Sequence, residues 1–155
     1  MSSEKPEIPN SLNEHWMPFS SNRDFKANPR LITEAKGVYL KNHQGQTQID
    51  ASSGLFCNPL GHGREEIINA VTNQLRKLDY AQPFQQGFGG SFELATKISK
   101  HTPGNLNRIF YTICGSTAVE TAIKISIAYH KARGQGHRFR FVGRERAYHG
   151  MNIGA

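Results

Sequence analysis

The spacing of apolar residues changes from alternation to a helical period along the chain. Residues 37–50 (GVYLKNHQGQTQID) alternate around Tyr39 and Ile49, with the polar segment NHQGQ between them. Alternation interrupted by a turn predicts a short β-hairpin. From Arg64 the period becomes three to four residues, which predicts a helix with one apolar face. That face consists of Ile67, Ile68, Val71, Leu75 and Leu78.

The following residues predict a helix and then a strand–helix–strand unit. Residues 90–100 (GSFELATKISK) have helical spacing, with Ser91 as the candidate N-cap and Leu94, Ala95 and Ile98 facing inward. The β-branched and aromatic residues of 107–113 (NRIFYTI) predict a strand, as does the alternation of 138–142 (RFRFV). A helix over 117–133 lies between them. Such a βαβ unit has parallel strands, so the predicted fold class is α/β.

Local signals account for most of the 117–133 helix. Thr117 and Glu120 have capping-box spacing, Glu120 and Lys124 form an i,i+4 pair, and Gly134 is a natural stop. Gly115 and Ser116 are not explained in this way. Glycine after a strand permits a tight turn and close ligand approach, and the following helix N-terminus favours an anion. A simple turn and a phosphate cradle both fit these two residues.

Residues 143–150 (GRERAYHG) supply a second candidate feature. They follow the second predicted strand, so Tyr148 and His149 lie at the same sheet edge as Ser116. An aromatic face beside a phosphate site suits a flat, phosphorylated cofactor. A loop tyrosine that packs on the protein surface is the alternative.

Composition narrows the class of protein. Hydrophobic residues make up 37% and charged residues 20%, as in globular domains. The net charge of +7 is spread over the chain without a zinc-finger or RNA-binding signature, so nucleic-acid binding is a distant alternative. We expect no membrane span and no secretory signal. Cys57 and Cys114 are far apart and predict free thiols, hence a cytoplasmic location.

Several motifs in order resemble one family. Residues 110–134 followed by 143–150 are similar to the class III aminotransferases, fold-type-I enzymes that depend on pyridoxal 5′-phosphate (PLP). The ω-amino acid–pyruvate (β-alanine–pyruvate) branch is the most similar in detail. Residues 15–40, 49–71 and 80–95 also fit the order of that branch. The resemblance covers almost the whole chain and implies the N-terminal part of a longer enzyme.

The resemblance implies roles for individual residues. Gly115 and Ser116 would hold the PLP phosphate, and Tyr148 would stack on the pyridine ring. Phe19 and Phe56 would line the substrate pocket, and Phe84 would lie near the interface of a homodimer. His62 matches a family signature but has no second ligand at metal-binding spacing, so no metal site is expected. Residues 1–55 would belong to the small domain, and 56–155 would begin the parallel-sheet large domain.

Two departures from the family pattern affect the expected activity. Ile113, Cys114 and Thr117 stand where the family usually has Asn, Ser and an acidic residue, so we expect weaker or altered cofactor binding. No lysine here matches the family's Schiff-base lysine, and no acid matches the one that protonates the pyridine nitrogen. The complete enzyme would transfer an amino group from an amine or ω-amino acid to a keto acid such as pyruvate. The 155 residues alone would be inactive.

Two alternatives remain open from the sequence. Missing downstream residues could direct the same scaffold to an aminomutase or decarboxylating transaminase reaction. Alternatively, the chain could be a non-catalytic remnant of a truncated reading frame. Such a product would expose apolar surface and aggregate.

Overall fold

The computed structural model describes residues 8–153, and the chain divides into two compact units, Met1–Ala81 and Gln82–Ala155. Residues 1–7, which bear on the predicted absence of a secretory signal, and residues 154–155 lie outside the described part. The division into compact units follows spatial contacts within this chain. The small-domain and large-domain boundary after residue 55 concerns a complete enzyme and stays a prediction.

The first unit contains a three-stranded antiparallel sheet. A short helix α1 (Asn22–Ala27) precedes strands β1 (Ile32–Lys36), β2 (Tyr39–Asn42) and β3 (Thr47–Ile49), in the order β1-β2-β3. The predicted hairpin is confirmed as β2–β3, where the Asn42 side-chain oxygen accepts hydrogen bonds from the amides of Gln44 and Gln46. Strand β1 was not predicted. It pairs with β2 through a two-residue turn that begins at Gly37, whose φ is +58°.

Helix α2 (Glu65–Lys77) follows the predicted period and ends one residue before Leu78. Its first turn carries Glu65 and Glu66 and its last turn Arg76 and Lys77, which suits the charges at the two helix ends. The predicted apolar face is open to solvent, since its five apolar residues are 40–57% exposed.

Between β3 and α2 the backbone makes a left-handed turn. Ser53, Gly54, Leu55 and Phe56 have φ values of 52°, 59°, 54° and 67°. The Phe56 amide donates to the Ser52 carbonyl at 2.9 Å and closes the turn. Left-handed backbone costs each non-glycine residue about 1–2 kcal/mol, so other contacts must stabilise this segment.

The second unit contains helices α3 (Gly89–Ser99) and α4 (Gly115–Ala132). The N-cap predicted at Ser91 is wrong, because α3 begins two residues earlier and has Phe88 as its N-cap. The Ser91 hydroxyl therefore donates back to the Phe88 carbonyl, at 2.7 Å. The C-terminal stop of α4 is confirmed, since Gly134 follows with a φ of +72°.

The capping box predicted at the start of α4 is also wrong. Cys114 is the N-cap, so Thr117 is already the third helical residue. Glu120 instead accepts from Lys124 at 2.8 Å, which confirms the predicted i,i+4 pair. The earlier start brings Gly115 and Ser116 into the first turn of the helix.

The two strands predicted beside α4 do not form in the described residues. Residues 107–113 and 138–142 are extended segments without ladder pairing, so the βαβ unit is incomplete there. A strand is stable only when a neighbouring strand takes up its backbone hydrogen bonds. No such neighbour lies beside these segments within residues 8–153.

Residues 8–153 contain no apolar core of their own. The accessible surface of the chain is 14062 Å². A folded monomer of 17.3 kDa exposes about 7,800 Å². No hydrophobic side chain among the described residues is buried. Within the described part, no helix combines the length and the apolar character that a membrane crossing requires.

Candidate cofactor site

The start of α4 presents backbone amides that take no part in the helical hydrogen bonds. The first helical hydrogen bond runs from the Ala118 amide to the Cys114 carbonyl, at 3.0 Å. The amides of Gly115, Ser116 and Thr117 therefore precede the helical ladder. The first turn carries no acidic residue, and no side-chain cap is formed. This end of an 18-residue helix is electropositive and suited to an anion.

Gly115 provides open space at this helix start. A Cβ atom added to Gly115 would meet no other atom within 4 Å. Its φ is not in the left-handed region, so the backbone does not require glycine. The missing side chain leaves room directly beside the amides that precede the helical ladder. A phosphate group fits this space and this donor set.

Gly150 packs directly against Ser116. A Cβ atom at Gly150 would lie 2.7 Å from both the Cα and the Oγ of Ser116, and the φ of Gly150 is +125°. The neighbouring Met151 amide donates to Ser116 Oγ at 3.1 Å. That bond uses a lone pair of the oxygen, so the Ser116 hydroxyl keeps its proton for a donor bond, either to the Cys114 sulfur or to a ligand.

A second bond fastens the same loop to α4. The Asn152 amide nitrogen donates to Glu120 Oε2 at 2.9 Å. Hydrogen bonds from Lys124 and Asn152, together with the Lys124 charge, hold the pKa of Glu120 below its ordinary value. Glu120 is therefore ionised at neutral pH and accepts both bonds. The residues that follow Tyr148 are thus held on the first turns of α4.

The residues that depart from the family pattern lie at the helix start. The Cys114 sulfur is 3.3 Å from the Thr117 hydroxyl. Hydrogen bonds from the hydroxyl and amide of Thr117, and from Ser116, lower the pKa of the Cys114 thiol. Cys114 therefore competes with an external anion for the same donors.

The predicted site residues fall into separate groups. Gly115, Ser116 and the loop of Tyr148 come together in the second unit, where the Tyr148 ring is 72% exposed. Phe84 belongs to the same unit but lies outside its helices, and it is 79% exposed. Phe19 and Phe56 belong to the first unit, where both have positive φ and open side chains.

Two residues of this site, Gly150 and Asn152, were not predicted from the sequence. The sequence could have indicated Gly150 as a site residue, because it is a glycine directly after Tyr148 and His149, beyond the end of a predicted strand. Its role as the surface against Ser116 depends on a contact between residues that are distant in sequence. Nothing in the sequence indicates Asn152 as a site residue, since its contact with Glu120 is seen only in the structure.

Known structures with this fold are PLP-dependent transaminases. The crystal structure of the ω-transaminase from Pseudomonas jessenii in complex with PMP superposes with a TM-score of 0.87 at 27% identity. The match covers 92% of this chain and 32% of that one. The fold is therefore that of a PLP-dependent transferase, over about a third of the length of such a chain, and the predicted fold class is confirmed.

Sequence comparison with known proteins shows the family to which this chain belongs. The class-III aminotransferase family model matches residues 20–155, and the chain belongs to this family of enzymes. The ω-aminotransferase of Caulobacter vibrioides is 43% identical, over 94% of this chain and 33% of its own length. The ω-amino acid–pyruvate aminotransferase of Pseudomonas putida is 46% identical, over 92% and 32%. The chain thus spans about a third of the length of these relatives.

Proposed function

We propose that the complete protein transfers an amino group from an amine or ω-amino acid to a keto acid such as pyruvate, with PLP as cofactor. The observation that carries this proposal is the contact between Gly150 and Ser116, which joins the predicted phosphate site to the loop of the predicted ring-stacking tyrosine. The names of the relatives and the PMP complex of a structural neighbour support the same reaction.

The residues of this chain would bind and orient the cofactor. The amides at the start of α4 and the Ser116 hydroxyl would hold the phosphate, in the space that Gly115 leaves open. Tyr148 would stack on the ring, because its loop is fastened beside that site by Met151 and Asn152. Bound PLP supplies an electrophilic carbonyl and an electron-withdrawing ring. The lysine that bonds it would come from outside these residues.

The remaining predicted residues would contribute to substrate binding. Phe19 and Phe56 would line the pocket, and Phe84 would approach the site of the second subunit in a homodimer. Their exposed fractions of 79–85% leave their rings free to contact substrate or a partner subunit. A cytoplasmic location stays a prediction from the two free cysteines.

The test of this function is a comparison of cofactor binding and amino transfer in the complete protein. With β-alanine and pyruvate, the parent protein should form alanine. Ser116→Ala should weaken PLP binding about tenfold or more, since a hydrogen bond to a charged group contributes about 1.5–3 kcal/mol. Titration of the apoprotein with PLP, followed by absorbance, measures this change.

The matched control is Ser126→Ala, which removes a hydroxyl from the same helix that only donates to the Ala122 carbonyl. It should leave PLP affinity unchanged. A parent protein that forms no alanine would contradict the proposed reaction. Equal PLP affinity in Ser116→Ala and the parent would contradict the assigned phosphate site.

The family residues missing at the start of α4 should strengthen cofactor binding when restored. We expect the double variant Ile113→Asn, Cys114→Ser to bind PLP about fivefold more tightly, because one net hydrogen bond contributes about 1 kcal/mol. Ile113 has no polar side-chain atom and Cys114 has only a weak S–H donor, so the introduced amide and hydroxyl add donors for the phosphate. Thr121→Asn, one turn later in α4, is the control, and unchanged affinity in the double variant would refute this expectation.

A further inference from the structure

Besides its backbone hydrogen bonds, the left-handed turn that carries Phe56 is contacted by one carboxylate. Asp50 Oδ2 accepts a hydrogen bond from the Gly54 amide at 2.8 Å, and Oδ1 accepts from the Ser52 hydroxyl at 3.1 Å. The Asp50 side chain is only 7% exposed, in a chain where most side chains are open. This carboxylate therefore contacts the backbone at the second residue of the turn.

His62 orients that carboxylate from the other side. Its Nε2 lies 3.0 Å from Asp50 Oδ2, and its Nδ1 lies 2.8 Å from the Asn58 side-chain nitrogen. Because the Asn58 amide nitrogen donates, Nδ1 must accept, and the ring proton must lie on Nε2 and point to Asp50. The hydrogen bond from His62 lowers the pKa of Asp50, against the opposing cost of desolvation.

The backbone of His62 is anchored independently of its ring. Its amide and carbonyl pair with the carbonyl and amide of Gly37, at 2.8 and 2.9 Å. A Cβ atom at Gly61 would lie 3.0 Å from the Gly37 carbonyl oxygen, so this close approach depends on glycine. The ring is thus attached to the β1–β2 turn and not to the left-handed turn that it supports.

We propose that Asp50 and His62 form a positioning pair that holds residues 53–56 in the left-handed conformation and thereby aims the Phe56 side chain. The pair links an anchored backbone, at His62, to the Gly54 amide inside the turn. Without it, Ser53, Leu55 and Phe56 have a strong preference for ordinary backbone conformations. A change of φ at Phe56 from 67° to a negative value would turn its ring in a different direction.

The consequence for amine recognition rests on the proposed function, in which Phe56 lines the substrate pocket. Phe56 is 85% exposed and is not held by core packing, so the backbone at Phe56 fixes the direction of its Cα–Cβ bond and hence the region that the ring can reach. Asp50 and His62 would then determine which amines the pocket accepts, although neither is assigned to touch substrate or cofactor.

The first measurement is amide hydrogen exchange in the complete protein. In His62→Ala the amides of Gly54 and Phe56 should exchange about tenfold faster or more, because the turn opens more often. His62→Gln retains a donor at the position of Nε2 and should restore protection to within about twofold of the parent. Exposed His101→Ala, in the second unit, is the matched control. Unchanged exchange at both amides in His62→Ala would overturn the proposal.

The second measurement is a double-mutant cycle with Phe56→Ala. His62→Ala should change the ratio of kcat/KM for a bulky and a small amine about tenfold, with PLP affinity unchanged. In the Phe56→Ala background the same change should fall below about twofold, since no ring remains to be aimed. If His62→Ala changed the ratio by the same factor with and without the Phe56 ring, His62 would have a merely structural role and the proposal would be overturned.

The role of the Asp50–His62 pair can be tested separately from the proposed amino-transfer function. If His62→Ala does not fold, Asn58→Ala removes only the bond to Nδ1 and should show smaller changes of the same kind. A parent protein without amino-transfer activity would refute the proposed function. The exchange rates of Gly54 and Phe56 would then decide by themselves whether the pair holds the turn.

Discussion

Gly150→Ala should weaken PLP binding by the complete protein about 100-fold or more. The added Cβ would lie 2.7 Å from the Cα of Ser116, which belongs to helix backbone and cannot move aside alone. The φ of +125° at Gly150 adds strain for any residue with a side chain. Overpacking and such strain each cost about 1–3 kcal/mol, so the loop should withdraw from α4.

Withdrawal of the loop would remove two features at once. The hydrogen bond from the Met151 amide to Ser116 would break, and Tyr148 would leave the position beside the phosphate. Titration of the apoprotein with PLP measures the loss. Gly143→Ala is the matched control, because its Cβ would meet only the His149 ring, at 3.9 Å, in the same loop. Equal affinity in Gly150→Ala and the parent would show that the loop does not form part of the site.

The 155 residues produced on their own should show neither a cooperative unfolding transition nor amino transfer. Their accessible surface of 14062 Å² compares with about 7,800 Å² for a folded monomer of this mass. The hydrophobic effect scales with the apolar area removed from water, and these residues leave about 6,000 Å² more surface in water than a folded monomer does. We therefore expect binding of hydrophobic dyes, aggregation at micromolar concentration and a broad thermal profile.

Calorimetry and an alanine-formation assay check this second expectation, with the complete protein as the control. The apolar face of α2 gives a specific probe, since Val71 and Leu75 are 53% and 57% exposed. Their replacement by serine should reduce dye binding by the 155 residues and destabilise the complete protein. A sharp calorimetric transition of the 155 residues, or measurable turnover, would contradict the prediction.

Helices were predictable from the sequence because their signals are local. The apolar period of residues 67–78 and the Glu120–Lys124 pair each involve residues within one or two turns, and both agree with the structure. Helix starts were less predictable. Ser91 and Thr117 both have capping chemistry, yet Phe88 and Cys114 occupy the N-cap positions.

Strands and site contacts depended on partners distant in sequence. Residues 107–113 have strand composition but no neighbouring strand within the described residues, so composition alone could not place them in a ladder. The left-handed backbone at Leu55 and Phe56 contradicts their ordinary preference and could not be anticipated. The family resemblance indicated Gly115, Ser116 and Tyr148 as cofactor-binding residues, whereas the contact of Gly150 with Ser116 is seen only in the structure.

The bond between Met151 and Ser116 has a consequence for the order in which the protein assembles. It joins positions only 35 residues apart, so closing the intervening loop costs little chain entropy. At a synthesis rate of about 5–20 residues per second, its two partners leave the ribosome within several seconds of each other. The phosphate-facing hydroxyl and the loop behind it can therefore meet on the nascent polypeptide, ahead of any later residue that the cofactor requires.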